Sequence, residues 1–264
     1  MQKRIFKITS KILKLLVGAG LFIAYAVQSE TVSFRTDDYP PFNSNPNAPL
    51  PGYMVEISKK ILIDAGYEFD YQKAPWERSL LMMREGKIDC VYGTSHEDLY
   101  KDLLFTEEPF TIDTQSIFVH KDNPWRYGGD PNSILGLRWG LILGYDYGNG
   151  FDEIFKSGKV KVDWLSGDNP IEKNLLKLVN KRIEATLDSA QVIGYYAKKN
   201  GYDKDIVNAG QIGEPYALYI SCSPVNSEKS KKILNLLDTG LEKMRADGSL
   251  KSILDKYGLP DWKK

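Results

Sequence analysis

The chain has 264 residues, 42% hydrophobic and 27% charged, a globular composition with room for one large domain or two modest lobes. Thirty-five basic residues balance 35 acidic ones, so no basic surplus recommends a nucleic-acid partner. With two histidines, His96 and His120, and neither an H-x-x-x-H nor a C-x-x-C spacing, a metal site would need carboxylates, and no metal or cofactor is expected.

At the N-terminus, Lys3, Arg4, Lys7, Lys11 and Lys14 precede a mostly apolar run of thirteen residues, Leu15 to Val27, and Ala24-Tyr25-Ala26 offers an A-x-A cleavage site. The run falls short of the ~18 to 20 residues that span a bilayer. Residues 1–29 therefore read as a secretory signal cleaved near Ala26, with no cysteine nearby for lipid attachment. The expected mature protein is free in the periplasm and carries 30 basic against 35 acidic residues, a net charge of −5. In that oxidising compartment Cys90 and Cys222 could form a disulfide or pack as two buried thiols, and both readings stay open.

After the signal, Val32 and Phe34 alternate as in a strand, which the stiff loop DDYPPFN, Asp37 to Asn43, must end, because proline removes a backbone donor and fixes φ. A helix follows from Gly52 to Gly66 with Met54, Ile57, Ile61 and Ala65 on one face. Tyr67, Phe69 and Tyr71 alternate as a second strand. Pro75 opens a helix carrying Trp76, Leu80 and Met83, Gly86 ends it, and IDCVYG reads as a third strand. This β-α-β-α-β order predicts a parallel sheet flanked by helices, with a ligand outside the carboxyl ends of the strands.

The same grammar recurs. GLRWGLILG and VKVDWL read as strands, Ile171 to Asn180 as a helix, and RIEATLDS as a strand followed by a helix from Ser189 to Asn200. ALYISCS reads as a further strand. Two amphipathic helices close the chain, one carrying Ile233, Leu237, Leu241 and Met244, the other spanning Ser249 to Tyr257. No low-complexity linker separates the two halves, so they must be closely joined.

No G-x-S-x-G is present, and GYDYGNG, Gly144 to Gly150, lacks the Lys-Ser/Thr of a phosphate loop and reads as a mobile turn. The adjacent acids Asp37/Asp38 and Glu107/Glu108 read as solvated loop carboxylates. What accumulates instead at the strand ends is aromatic and polar: Tyr39 and Phe42, Trp76, Gly93-Thr94-Ser95, Tyr145 and Asp146, and Asp188. These are the candidate ligand-binding residues.

Together these segments resemble a known family. DYPPF followed by GYMVEI, PWERSLLMMREGKIDCVYG, LLFTEEPF and the tail MRADGSLKSILDKYG are similar, in this order, to periplasmic solute-binding proteins of family three, which deliver polar amino acids to ABC transporters. The resemblance implies a type II periplasmic binding fold, two α/β lobes that are each a mostly parallel sheet flanked by helices. The first lobe would hold residues 30–111 and 216–264 and the second 112–215, with two crossovers near Thr111 and Pro215. It also implies a small polar solute held in the interlobe cleft, an ABC permease as partner, a monomer and no catalysis. The strand bearing Cys222 would return beside that bearing Cys90, so a Cys90–Cys222 bridge is implied. Tyr39 and Trp76 would sandwich the solute.

The departures concern the substrate. Family members place an arginine about six residues before the F-[ST] segment, where its guanidinium grips an α-carboxylate through two hydrogen bonds. In GTSHEDLYKDLLF, Leu99 or Tyr100 falls there, leaving Arg78 or Lys101 as substitutes. The acid that receives an α-ammonium is expected at Asp188, although the spacing also admits Ser189. Tyr145 and Asp146 replace the usual small hydroxyl residues. Such a cleft suits a solute with a cationic amine. The alternatives are a dehydratase of the same fold acting on arogenate or prephenate, and a sensory or accessory binder.

Overall fold

The computed structural model describes residues 29–263 apart from 97 and 149, so the expected signal segment lies, but for Ser29, outside the described residues. Strand β1 (Thr31–Thr36) alternates buried Val32, Phe34 and Thr36 with more exposed neighbours, as period-two patterning requires. It pairs in parallel with β2 (Glu68–Lys73) and β3 (Cys90–Thr94). Helix α1 (Tyr53–Asp64) buries Met54, Ile57 and Ile61 on one side, while α2 (Trp76–Arg84) buries Leu80 and Met83 on the other. This is the parallel β-α-β-α-β unit that the alternation predicts.

The second half repeats it. Strands β6 (Arg138–Ile142), β7 (Lys161–Leu165) and β8 (Ala185–Ser189) are parallel, in the order β7-β6-β8. One face packs on α4 (Pro170–Val179) and α5 (Ala190–Asn200). On the other, α3 (Phe151–Lys156) brings Phe151 and Phe155 against Trp139 and Tyr147. The last helices, α6 (Ser227–Asp247) and α7 (Ser249–Tyr257), return to the first half against α1.

Two strands join the halves, and sequence reasoning missed most of them. Strand β5 (Thr111–His120) pairs antiparallel with β9 (Ile206–Cys222), a 17-residue strand of which only the end, ALYISC, reads as strand in the sequence. Its first part, IVNAGQIGEPY, carries two glycines and a proline, which mask any alternation. They sit where the strand is irregular: the register shifts between Asp113↔Tyr216 and Gln115↔Ile212, leaving Gly213, Glu214 and Pro215 as a bulge. At its far end β9 pairs with β3 and with the short β4 (Leu104–Phe105), so it belongs to both sheets.

Cys90 and Cys222 stand directly opposite each other on β3 and β9 and are bonded, closing a loop across 132 residues of sequence. A cross-link of this span removes loop-closure entropy from the unfolded chain. Reduction, or paired Cys90→Ala and Cys222→Ala substitution, is expected to lower unfolding free energy by roughly 2 to 5 kcal/mol in denaturant titrations. Equal midpoints with and without reductant would contradict this.

Gly52 precedes α1 with φ +108, and a Cβ there would lie 2.3 Å from the Asn43 Cα. Backbone cannot yield as a flexible side chain can. Gly52→Ala should therefore cost roughly 2 to 4 kcal/mol and displace the 37–43 loop, read as a lowered melting temperature and altered solute affinity.

Candidate functional site

The DDYPPFN loop is built on its own backbone. Tyr39 N donates to Asn43 O at 2.9 Å and Phe42 N to Tyr39 O at 3.0 Å, while Asn43 Nδ2 donates to Asp37 O at 2.6 Å. Behind it, Tyr53 N and Met54 N of α1 donate to Pro41 O and Phe42 O, at 3.1 and 3.0 Å. Phe42 is buried, stacked on Tyr39 at 5.4 Å and edge-on to Tyr53 at 5.7 Å. It is a core residue that backs Tyr39 and does not line the cavity, because one aromatic of the pair must face the protein interior.

Tyr39 faces a cavity of about 340 Å³ between the two halves. The first half contributes Asp37 and Tyr39 after β1, Trp76 at the start of α2, Gly93 near the end of β3, and Ser95 and Tyr100 after it. The second contributes Tyr145, Asp146 and Tyr147 from the loop after β6. Between them the crossing strands supply Gln115 of β5 and Ile212, Glu214 and Tyr216 of β9. The turn at 144–150 is stitched down, since Asp152 Oδ2 accepts from Tyr147 N at 2.8 Å and Gly148 N at 3.0 Å. It also meets the first half: a Cβ on Gly144 would come 2.4 Å from Glu77 Cγ, and Tyr145 Oη donates to Asp37 Oδ2 at 2.7 Å.

The structure brings Tyr39, Trp76, Gly93, Ser95, Tyr145 and Asp146 together and places the remaining candidates elsewhere. Thr94 is fully buried, its Oγ1 directed at Tyr219 O, 3.4 Å away. Arg78 is exposed and outside the cavity, because two residues along a helix turn a side chain about 200° away from Trp76. Lys101 is exposed as well. Of the two residues near the place where the resemblance implies an arginine, Tyr100 lines the cavity and Leu99 is 47% exposed. Asp188 is buried behind the cavity wall, and Ser189 caps α5 while its Oγ donates to Asp113 Oδ1 at 2.7 Å.

Asp113, absent from the sequence candidates, is the centre of a polar cluster. This fully buried β5 residue also accepts from Thr114 N at 2.8 Å, Tyr216 Oη at 3.2 Å and, weakly, Tyr39 Oη at 3.4 Å. Asp188 Oδ1 accepts from Ser189 N at 2.8 Å, and its carboxylate lies within reach of the Tyr39 hydroxyl. No ion pair involves Asp37, Asp113 or Asp188 among the described residues. Burial without a cation pushes Asp37 and Asp113 up to about 6 each and Asp188 up to about 7, Asp113 and Asp37 adding repulsion at Asp188. The same burial, reinforced by these acids, holds Tyr39, Tyr145 and Tyr216 well above ordinary phenols, so they stay neutral donors. The inward Asp113 was signalled only by TIDTQ, a polar run with no strand pattern to orient it.

Aromatic and acidic walls around a cavity between two α/β lobes define a solute-binding protein of the periplasmic type. Residues 32–260 match the model of bacterial extracellular solute-binding proteins, family 3, and the chain belongs to that family. A putative amino-acid ABC transporter-binding protein, PatH, of Vibrio harveyi is 25% identical over 89% of this chain and 93% of its own. Among solved structures, an ancestral arginine-binding protein bound to arginine superposes with TM-score 0.70 at 24% identity, over 89% of this chain and 98% of that one. A structure from work on glutathione import through GshT in Streptococcus mutans superposes with TM-score 0.72 at 20% identity, over 89% and 99% of the two chains.

The raised carboxyls have a consequence for stability. Between about pH 4 and pH 7 the native chain keeps protons that the unfolded chain has released, so this cluster's contribution falls as pH rises through that window. Asp188 is faced by Asp113, Asp37, Tyr39, Tyr145, Tyr147 and Tyr216 and, among the described residues, pairs with no cation. Asp188→Asn should stabilise the solute-free protein by roughly 2 kcal/mol near pH 8 and hardly at all near pH 4. Melting curves at the two pH values test this, and an equal shift at both would refute it.

Proposed function

We propose that this protein captures a small amine-bearing solute, an amino acid or a related compound, in the cavity around Tyr39, and delivers it from the periplasm to an ABC permease as a non-catalytic monomer. The observation carrying this reading is the cavity itself, at the carboxyl ends of both parallel sheets and lined by strands that cross between them. A sequence opening that reads as a secretory signal supports the periplasmic setting. Family membership and the name of the Vibrio relative support solute delivery over turnover.

The aromatic walls explain how affinity arises. Micromolar binding requires about −8 kcal/mol. A rigid tyrosine lost no freedom to the solute that it had not already lost on folding, which limits the ordering cost at binding. The acids between the lobes, ionised above about pH 7, provide an electrostatic well for a cation.

The test is thermal shift of the mature protein with amino acids, polyamines, small peptides and organic acids. A bound solute at a hundredfold excess over Kd adds about 2.7 kcal/mol, easily seen. Tyr39→Ala and Trp76→Ala should each weaken the responding solute at least tenfold. Turnover of arogenate or prephenate, or silence across the panel, would overturn the proposal.

A further inference from the structure

The cavity's charges differ from what an amino acid requires. Its lining includes Asp37, Asp146 and Glu214 but no lysine, arginine or histidine among the described residues. An amino acid brings a carboxylate as well as an ammonium, and desolvating that carboxylate without a cationic partner costs several kcal/mol. Nearby cations are engaged elsewhere. Arg84 Nε and Nη2 are bidentate on Asp102 at 2.8 and 3.0 Å, Lys73 is paired with Asp38, and Lys199 Nζ is 2.9 Å from Glu172. None of these three can reach a solute without breaking an existing pair, and the exposed Arg78 and Lys101 are not on the cavity lining.

Other groups point to the opposite charge. Gln115 Oε1 is a buried acceptor on the cavity wall with no hydrogen-bond partner, placed to receive an N–H. Asp37 and Asp146 are contributed one by each half, with Tyr39, Trp76, Tyr100, Tyr145 and Tyr216 also on the lining. Aromatic faces attract cations. The carboxylates do not converge on a point, since no group of three His, Cys, Asp or Glu among the described residues could hold a metal ion. Carboxylates contributed by both halves, without a metal-holding cluster, fit an organic cation.

We propose that the solute is an aliphatic amine or guanidine that carries no carboxylate, held through Asp37, Asp146 and the Gln115 carbonyl oxygen, with Tyr100 occupying the place of a carboxylate clamp. This rests on the reading of the cavity as a solute site and narrows its ligand class.

Matched pairs that differ only by the carboxylate provide the test: agmatine against arginine, cadaverine against lysine, and putrescine against ornithine, each titrated calorimetrically into the mature protein at pH 7.5. At least one decarboxylated member should bind ten times more tightly than its amino acid or better, about 1.4 kcal/mol. Asp37→Asn and Asp146→Asn should each weaken that amine at least tenfold, two variants in different halves guarding against one that does not fold. Amino acids that bind as tightly as their amines would overturn the inference while leaving the solute-binding reading intact. Heat from none of the six, with a response elsewhere in a wider panel, would overturn the ligand class alone. Silence everywhere would sink both. Unchanged amine affinity in both folded variants would also refute the proposal.

Discussion

Everything in this protein depends on the antiparallel ladder between β5 and β9. Those two strands tie together sheets that would otherwise be separate, and they supply the wall between the lobes on which Gln115, Tyr216 and Glu214 are mounted. The bulge at Gly213–Pro215 interrupts the ladder where it passes the cavity. A proline inside a paired strand is tolerated at such a point because the ladder hydrogen bond it cannot donate is already missing. The C-terminal tail secures the entry to β5: Trp262 Nε1 donates to Pro109 O at 2.9 Å, and Arg245 lies over the Trp262 ring and is paired with Asp261.

The ladder also decides the electrostatics. Facing inward from β5, Asp113 has no exit to water, and β8 delivers Asp188 beside it. Their hydrogen bonds come from hydroxyls and backbone amides, which lower a carboxyl's proton affinity but do not neutralise its charge. Three acids that attract protons near neutrality, bridged by tyrosines, form a negative region held in place before any solute arrives. Preorganisation of this kind makes a cation's entry favourable without new ordering of the protein.

The family match runs along residues 32–260, whereas the cavity is lined by a small set of side chains at strand ends and on the crossing strands. On the lining itself, Tyr100 presents a phenol and no lysine or arginine is found there among the described residues, so nothing on that wall carries the charge that would anchor a carboxylate. Fold and solute class are thus separable: the sheets persist because their core residues persist, and selectivity moves with a few side chains at strand ends.

Much of the fold was legible from the sequence alone. Period-two runs such as TVSFR and YEFDYQ, helices bounded by Gly52, Gly66 and Gly86, and the repeated alternation of the two element types depend on local spacing, which any window of residues displays. The likeness of DYPPF, GYMVEI and the final helices implied the pairing of Cys90 with Cys222, which the structure contains. Tyr39, Trp76 and Tyr145 were visible as well, because strand-end position follows from element order. Tertiary structure decided the rest. Phe42 and Tyr39 are neighbours of similar chemistry, and only the packing of α1 shows which of them is core. Asp37 read as a solvated acid until Tyr145, 108 residues away, closed over it. Asp113 and Gln115 lie in a strand with no hydrophobic alternation, opposite a partner almost a hundred residues later, and no local pattern encodes a pairing that distant. The sequence determined which groups are present and how each segment folds; long-range pairing alone determined which of them lost water together, and so which carry the charge of the site.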